Sequence, residues 1–201
     1  MVTGAGSGIG AATAICFARE GAQVVTIDVN REGLLATAAK IAADGGAAPL
    51  TLTVDMSNEV AVRGIGPAAV GAFGKVSVLV NCAGIRDYDS VLEASDEQWD
   101  KLLGVNLKGY VNSCKHLLPL IEENGGGAVV NIASVFGVAK ARAEMPIYDV
   151  TKAGIASLTQ SLAIAHGPAI RVNGVCPVSH AVHQRAQVTS VLRIAQQRPR
   201  A

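Results

Sequence analysis

The sequence predicts an α/β domain, a doubly wound parallel sheet in a three-layer α/β/α arrangement, and two observations carry that expectation. Short β-branched runs alternate with helical stretches, and runs such as Val76-Ser77-Val78-Leu79-Val80 are nearly apolar throughout, as strands buried on both faces must be. A glycine-rich segment, Thr3-Gly4-Ala5-Gly6-Ser7-Gly8-Ile9-Gly10, stands where a first strand turns into a first helix. The 201 residues, half of them hydrophobic, suffice for one core, and no internal repeat, linker or second domain is evident. Residues 1–177 are expected to form that domain, with 178–201 a divergent tail.

The elements follow in order. Only Met1 and Val2 precede the glycine segment, so the first strand is incomplete. A helix over 11–20 leads to a strand at 24–28, a helix over 32–43 and strands at 50–55 and 76–81. Ser95 and Gln98 fit a capping box, a hydroxyl and an amide satisfying reciprocal backbone donors at a helix start. That long helix runs past Asn106 and stops before Gly125-Gly126-Gly127, since glycine ends a helix cheaply. A fifth strand covers 128–132. Pro146, which lacks an N–H, suits the first turn of a helix carrying Tyr148 and Lys152, and a sixth strand covers 170–176.

Charge and composition exclude several functions. A formal net charge of +1 without a Lys/Arg run offers no field for nucleic acid or an anionic membrane. No apolar run approaches the roughly 20 residues that span a bilayer. Met1 lies too close to the glycine segment for a cleavable leader, so cytoplasmic placement is expected. Cys16, Cys82, Cys114 and Cys176 form no CxxC pair and read as four buried thiols in a reducing compartment. His180 and His183 make an HxxH without a nearby acidic or thiol ligand, so no metal site is expected.

Two motifs point to chemistry. In the glycine segment, backbone can approach a pyrophosphate closely, and a helix N-terminus offers free N–H groups and a favourable dipole; a plain glycine-rich turn is the alternative. Asp28 closes the second strand where a carboxylate can accept hydrogen bonds from both ribose hydroxyls of NAD, while a 2′-phosphate would meet like charge. Arg31, the nearest cation, belongs to a helix start facing solvent. NAD is therefore favoured over NADP, with a turn or cap role for Asp28 the competing reading. Tyr148 and Lys152 lie four apart on one helix, stacking a phenol beside an ammonium. A nearby cation favours phenolate, so Lys152 is expected to lower the pKa of Tyr148 toward useful acid/base catalysis; a solvated rim pair is the alternative.

Taken together, Thr3-Gly4-xxx-Gly8-Ile9-Gly10, Asn81-Cys82-Ala83-Gly84, Asn106, Ser134 and Tyr148-xxx-Lys152 resemble the short-chain dehydrogenase/reductase family from Val2 to Pro177. The resemblance implies a Rossmann-type fold with strand order 3-2-1-4-5-6-7 and hydride transfer between NAD and a secondary alcohol or its ketone. It implies Tyr148 as proton donor and acceptor, Lys152 on the nicotinamide ribose, Ser134 on the substrate oxygen and Asn106 in a water relay. Gly4, Ser7, Gly8, Ile9 and Gly10 would hold the pyrophosphate, Asp55 and Met56 the adenine, and Ala83 and Gly84 its ribose, with Asn81 steadying neighbouring strands and Pro177 near the nicotinamide. Arg86, Val135 and Met145 fall near the expected substrate side, and dimers or tetramers would form through the long helices. Cys82 stands where the family often has Asn. A seventh strand has no counterpart, and residues 181–201 hold four Arg and no Asp or Glu, the sign of a truncated or frameshifted reading. Two alternatives follow from these features: a dinucleotide-binding protein without turnover, and a fragment that folds poorly.

Overall fold

The computed structural model describes residues 1–178. Six strands form one parallel sheet in the order β3-β2-β1-β4-β5-β6: β1 (Val2–Thr3), β2 (Val25–Asp28), β3 (Leu50–Thr53), β4 (Val78–Asn81), β5 (Gly127–Ile132) and β6 (Ile170–Val175). The tail and the HxxH lie outside the described residues. The short β1 still holds the centre, with Val2 opposite Thr26 on one side and Val80 on the other.

Side chains alternate across the strands and so build two cores. On one face Ile27, Leu79 and Val129 pack against α3 (Glu59–Arg63), α4 (Ile65–Phe73) and α6 (Gly109–Glu123) through Val62, Ile65, Leu117 and Ile121. On the other, Val2, Val80 and Val130 meet α1 (Gly8–Arg19) and α2 (Arg31–Ala43) through Ala14, Ala18, Leu34 and Ile41. This is the three-layer sandwich expected, with every strand's C-terminal end opening toward one edge.

The predicted long helix is interrupted. α5 (Asp96–Leu103), opened by the Ser95–Gln98 capping box, passes through a π-helical segment, Gly104–Lys108, before continuing as α6. A π-segment inserts an extra residue into a turn and redirects the side chains there, and here it holds Asn106. α7 (Pro146–His166) begins with Pro146 in its first turn.

A buried polar network ties sheet to helices. Asn81 Nδ2 donates to Asn131 Oδ1 (2.9 Å) across β4 and β5, Ser113 Oγ of α6 donates to Asn81 Oδ1 (2.6 Å), and Asn131 Nδ2 donates to Thr159 Oγ1 of α7 (3.0 Å). Mutually satisfied buried amides fix relative placement, because slipping one element strands several donors at once. The thiols depart from expectation: Cys114 is buried, Cys16 and Cys82 are half-buried, and Cys176, just after β6, is exposed.

Candidate active site

A cleft of about 960 Å³ opens at the C-terminal ends of the strands, where ligands collect in open parallel sheets. It brings together Gly4, Ser7, Gly8, Ile9, Gly10, Asp28, Asp55, Met56, Ala83, Gly84, Ser134, Tyr148, Lys152 and Pro177. Asn81 and Asn106 do not line it. Asn81 is consumed by the network between β4, β5 and α6, and Asn106 acts from behind the wall. A second, smaller cavity of about 290 Å³ lies at the other end of the sheet among apolar side chains such as Phe17 and Phe73, with Lys75 the titratable side chain in its wall.

The glycine segment is built by close approach. Gly4 has φ +67°, and a Cβ there would sit 2.8 Å from the amide nitrogen of Ala83. A Cβ on Gly10 would lie 2.0 Å from the carbonyl oxygen of Gly4, so the first turn of α1 can rest on the loop only as glycine. Thr3 Oγ1 accepts from the amides of Cys82 (2.9 Å) and Ala83 (3.1 Å), joining the ends of β1 and β4. Ser7 occupies the N-cap of α1 in extended conformation without a side-chain cap bond, which leaves first-turn N–H groups for a ligand. Asp28 Oδ2 accepts from Gly6 N and Oδ1 from Asn30 N, both at 2.9 Å. Each carboxylate oxygen keeps a lone pair for a further donor. Asp55 lies beyond the end of β3, its Oδ1 accepting from Ser57 N (2.9 Å) and Ser57 Oγ (2.8 Å). A nicotinamide dinucleotide fits this set: free helix-terminal donors, backbone that can approach a pyrophosphate, and a carboxylate at the second strand's end.

At the other end of the cleft, Ser134 Oγ accepts from Phe136 N (3.1 Å), which leaves its own proton free to be donated outward. Lys152, 4% exposed, donates from Nζ to Ile132 O (2.8 Å), and its Nζ lies 5.5 Å from the ring centres of both Tyr148 and Tyr110. Burial lowers the Lys152 ammonium from 10.5 to about 8. The expected depression of Tyr148 by Lys152 is not what the surroundings produce. Burial pushes the Tyr148 phenol above its ordinary value, and the opposing influences are the Ser134 hydrogen bond and the positive charges of Arg86 and Arg142. Spacing on a helix sets proximity but not solvation, and here desolvation wins.

Asn106, fully buried, is a clamp. Its Oδ1 accepts from Ile85 N (2.8 Å) and its Nδ2 donates to Ile85 O (2.9 Å) and Thr151 Oγ1 (3.2 Å). Thr151 Oγ1 donates in turn to Tyr148 O (2.7 Å). The π-segment thus fixes both the strand-end loop that reaches Gly84 and Ile85 and the helical turn that presents Tyr148.

A short chain dehydrogenase profile matches residues 1–190. A probable galactose dehydrogenase of Rhizobium meliloti (strain 1021) is 42% identical over 178 residues, 88% of this chain and 69% of that protein. The chain belongs to the short-chain dehydrogenase/reductase family. A solved metagenomic short-chain oxidoreductase in complex with NADP superimposes with a TM-score of 0.91 at 31% identity, covering 98% of this chain and 89% of that one. L-Sorbose reductase from Gluconobacter frateurii, complexed with NADPH and L-sorbose, superimposes with a TM-score of 0.83 at 32% identity, covering 88% and 67%. As a family member, this short-chain dehydrogenase/reductase is an NAD(P)-dependent oxidoreductase of alcohols and ketones. No helix among its described residues is long and apolar enough to cross a membrane.

Sequence reasoning missed several residues of this short-chain dehydrogenase/reductase site. Lys101, Phe136 and Arg142 line the cleft, and Thr151 and Asp149 stand behind it. Phe136 and Arg142 lie on an irregular loop between β5 and α7, where no periodicity marks which side chains turn inward. Thr151 carried a signal, since a residue three beyond Tyr148 lies on the same helix face.

Proposed function

We propose that the protein transfers hydride between NAD(H) and a secondary alcohol or its ketone on a hydroxylated small molecule, with Tyr148 passing the proton. One observation carries this reading: Tyr148, Ser134 and Lys152 line the same cleft as the glycine segment and Asp28. When bound, the nicotinamide supplies or accepts the hydride. First-turn donors of α1 would hold the pyrophosphate and Asp28 the ribose hydroxyls. Lys152 would meet the nicotinamide-side ribose, with Asn106 anchoring a water relay from it toward solvent. Ser134, its oxygen already fixed by Phe136 N, donates to the substrate oxygen and stabilises charge that develops there. Tyr148, kept protonated at neutral pH by burial, is in the state that donates to a carbonyl.

NAD is preferred over NADP in this reading, because the Asp28 carboxylate occupies the place a 2′-phosphate would need and repels it. The names of the relatives, a galactose dehydrogenase and an L-sorbose reductase, support a polyol or sugar-like substrate. Val111 on α6 and Val150 on α7 are exposed apolar residues on the helices through which homodimers or tetramers would form.

Tyr148→Phe tests the proton step. Turnover should fall by about a hundredfold or more while NAD still raises the melting temperature; turnover within about threefold of the parent refutes the role. Steady-state comparison of NAD with NADP should favour NAD by at least about tenfold, a difference of one like-charge contact, and parity would refute the preference.

A further inference from the structure

We propose that the substrate carries an anionic group, a carboxylate or a phosphate ester, which Arg86 and Arg142 hold while Tyr148 meets the reacting oxygen. This deepens the function proposed above and rests on it. The charges lining the cleft are segregated. Its carboxylates among the described residues are Asp28 at the end of β2, bonded to Gly6 of the glycine segment, and Asp55 beyond β3, bonded to Ser57. The cations Arg86, Lys101, Arg142 and Lys152 line the rest. Lys152 is engaged with Ile132 O, and Lys101 lies on the outer helix α5. Arg86 and Arg142 line the same cleft as Tyr148, close enough for their positive charges to act on its phenol.

Neither arginine forms an ion pair among the described residues, where the salt bridges involve Arg19, Lys115 and His116. No nearby carboxylate pairs with either guanidinium among the described residues. Asp87 and Asp89 both accept from the side-chain amide of Gln98. Asp149, 8% exposed, takes the backbone N–H of Arg142 on Oδ2 (2.8 Å), and its Oδ1 has no partner.

Arg142 is also held in place. Its guanidinium carbon lies 3.9 Å from the centre of the Phe136 ring, Nη1 approaches Met145 Sδ at 3.7 Å, and Asp149 pins its backbone. An arginine fixed by an aromatic face and a backbone anchor, whose guanidinium meets no carboxylate among the described residues, keeps donors beyond the Nη1 bond to Met145 for a ligand. That planar fork matches the paired oxygens of carboxylate and phosphate alike, and charge-assisted bonds of this kind are about twice as strong as neutral ones.

The test uses matched series: short polyols, their aldonates and their terminal phosphate esters, assayed with the full chain and NAD. The charged members should be preferred at least about tenfold in kcat/KM, the better of the two identifying the anion. Arg86→Gln with Arg142→Gln should lower kcat/KM for that member at least about tenfold more than for its neutral counterpart. Calorimetric titration of the aldonate and the phosphate ester into the same variants should show the matching loss of affinity. Arg86 is exposed, so Arg86→Gln alone carries the comparison if Arg142→Gln lowers the melting temperature. Equal or better turnover of the neutral polyols overturns the proposal and leaves hydride transfer standing, as does an equal loss on all members in the arginine variants. Absence of turnover with every member overturns both readings.

Discussion

At the glycine-segment end of the cleft the closest contacts are backbone on backbone, Gly4 against Ala83 and Gly10 against Gly4, with Asp28 fastened to the amides of Gly6 and Asn30. At the Tyr148 end they are side chain on side chain: Arg142 over Phe136, Met145 beside it, Ser134 on the Phe136 amide. The first construction has almost no tolerance, because an added methyl group meets a carbonyl that belongs to the loop itself. The second can be altered one residue at a time without moving the sheet. A site that must hold one constant ligand and one variable ligand is served by that division, and each of the following experiments presses on it.

Gly10→Ala is expected to have the largest effect. The added Cβ would lie 2.0 Å from the Gly4 carbonyl oxygen, so α1 or the loop must move, at a cost of about 3 kcal/mol or more. Denaturant unfolding should show that loss, and NAD should no longer raise the melting temperature. A variant that loses under about 1 kcal/mol and still binds NAD would mean the loop is pliable and the comparison mistaken.

Lys152→Met examines the boundary between the two ends. In the native state Lys152 titrates at about 8 against an ordinary 10.5, so the unfolded chain binds more protons between those values. Stability contributed by this residue therefore rises with pH from about 8 to 10.5, and its penalty is complete below that window, at about 3 kcal/mol. Cys82 and Cys114 act oppositely. Burial raises both thiols from 9.0 to about 11, so the folded state keeps protons that the unfolded state sheds, and stability falls above pH 9. Subtracting the Lys152→Met curve from the parent curve removes the Cys114 contribution and leaves the charge coupling of Cys82 to Lys152 in the difference. The variant should be the more stable at pH 7, by up to about 3 kcal/mol, with the gap closing toward pH 10, while its affinity for NAD falls. A less stable variant at pH 7 would show that the hydrogen bond to Ile132 O outweighs desolvation.

The same division governs what could be read without coordinates. The glycine segment, Asp28 and the Tyr148–Lys152 pair are local in sequence, and their spacing alone carries their geometry. The sequence pattern puts Asn106 in a helix, but the π-segment that turns it toward Ile85 and Thr151 needs tertiary contacts that no spacing records. The motif implies that Asn81 steadies neighbouring strands, and it does so through Asn131 and Ser113, but strand alternation takes its side chain away from the cleft that Ala83 and Gly84 line. Arg142 lies on an irregular loop, where the inward side chains are chosen by contacts such as the Asp149 anchor rather than by a period.

Phe136→Leu should have the smallest effect and bears on the side-chain end alone. A guanidinium over an aromatic face contributes about 0.5–2 kcal/mol, so removing the ring frees Arg142 from one of its supports without deleting a charge. If Arg142 binds an anionic substrate, KM for that substrate should rise about two- to tenfold with kcat nearly unchanged, the signature of lost uniform binding. Phe136→Tyr, which keeps the aromatic face, should restore it. The backbone N–H that supports Ser134 survives both substitutions, so the proton chemistry is not expected to follow KM. KM for NAD should not move, because the glycine-segment end makes no use of this ring. A fall in kcat at constant KM would assign Phe136 to the alignment of Ser134 rather than to Arg142, and would place the line between the two constructions nearer the substrate than the contacts alone imply.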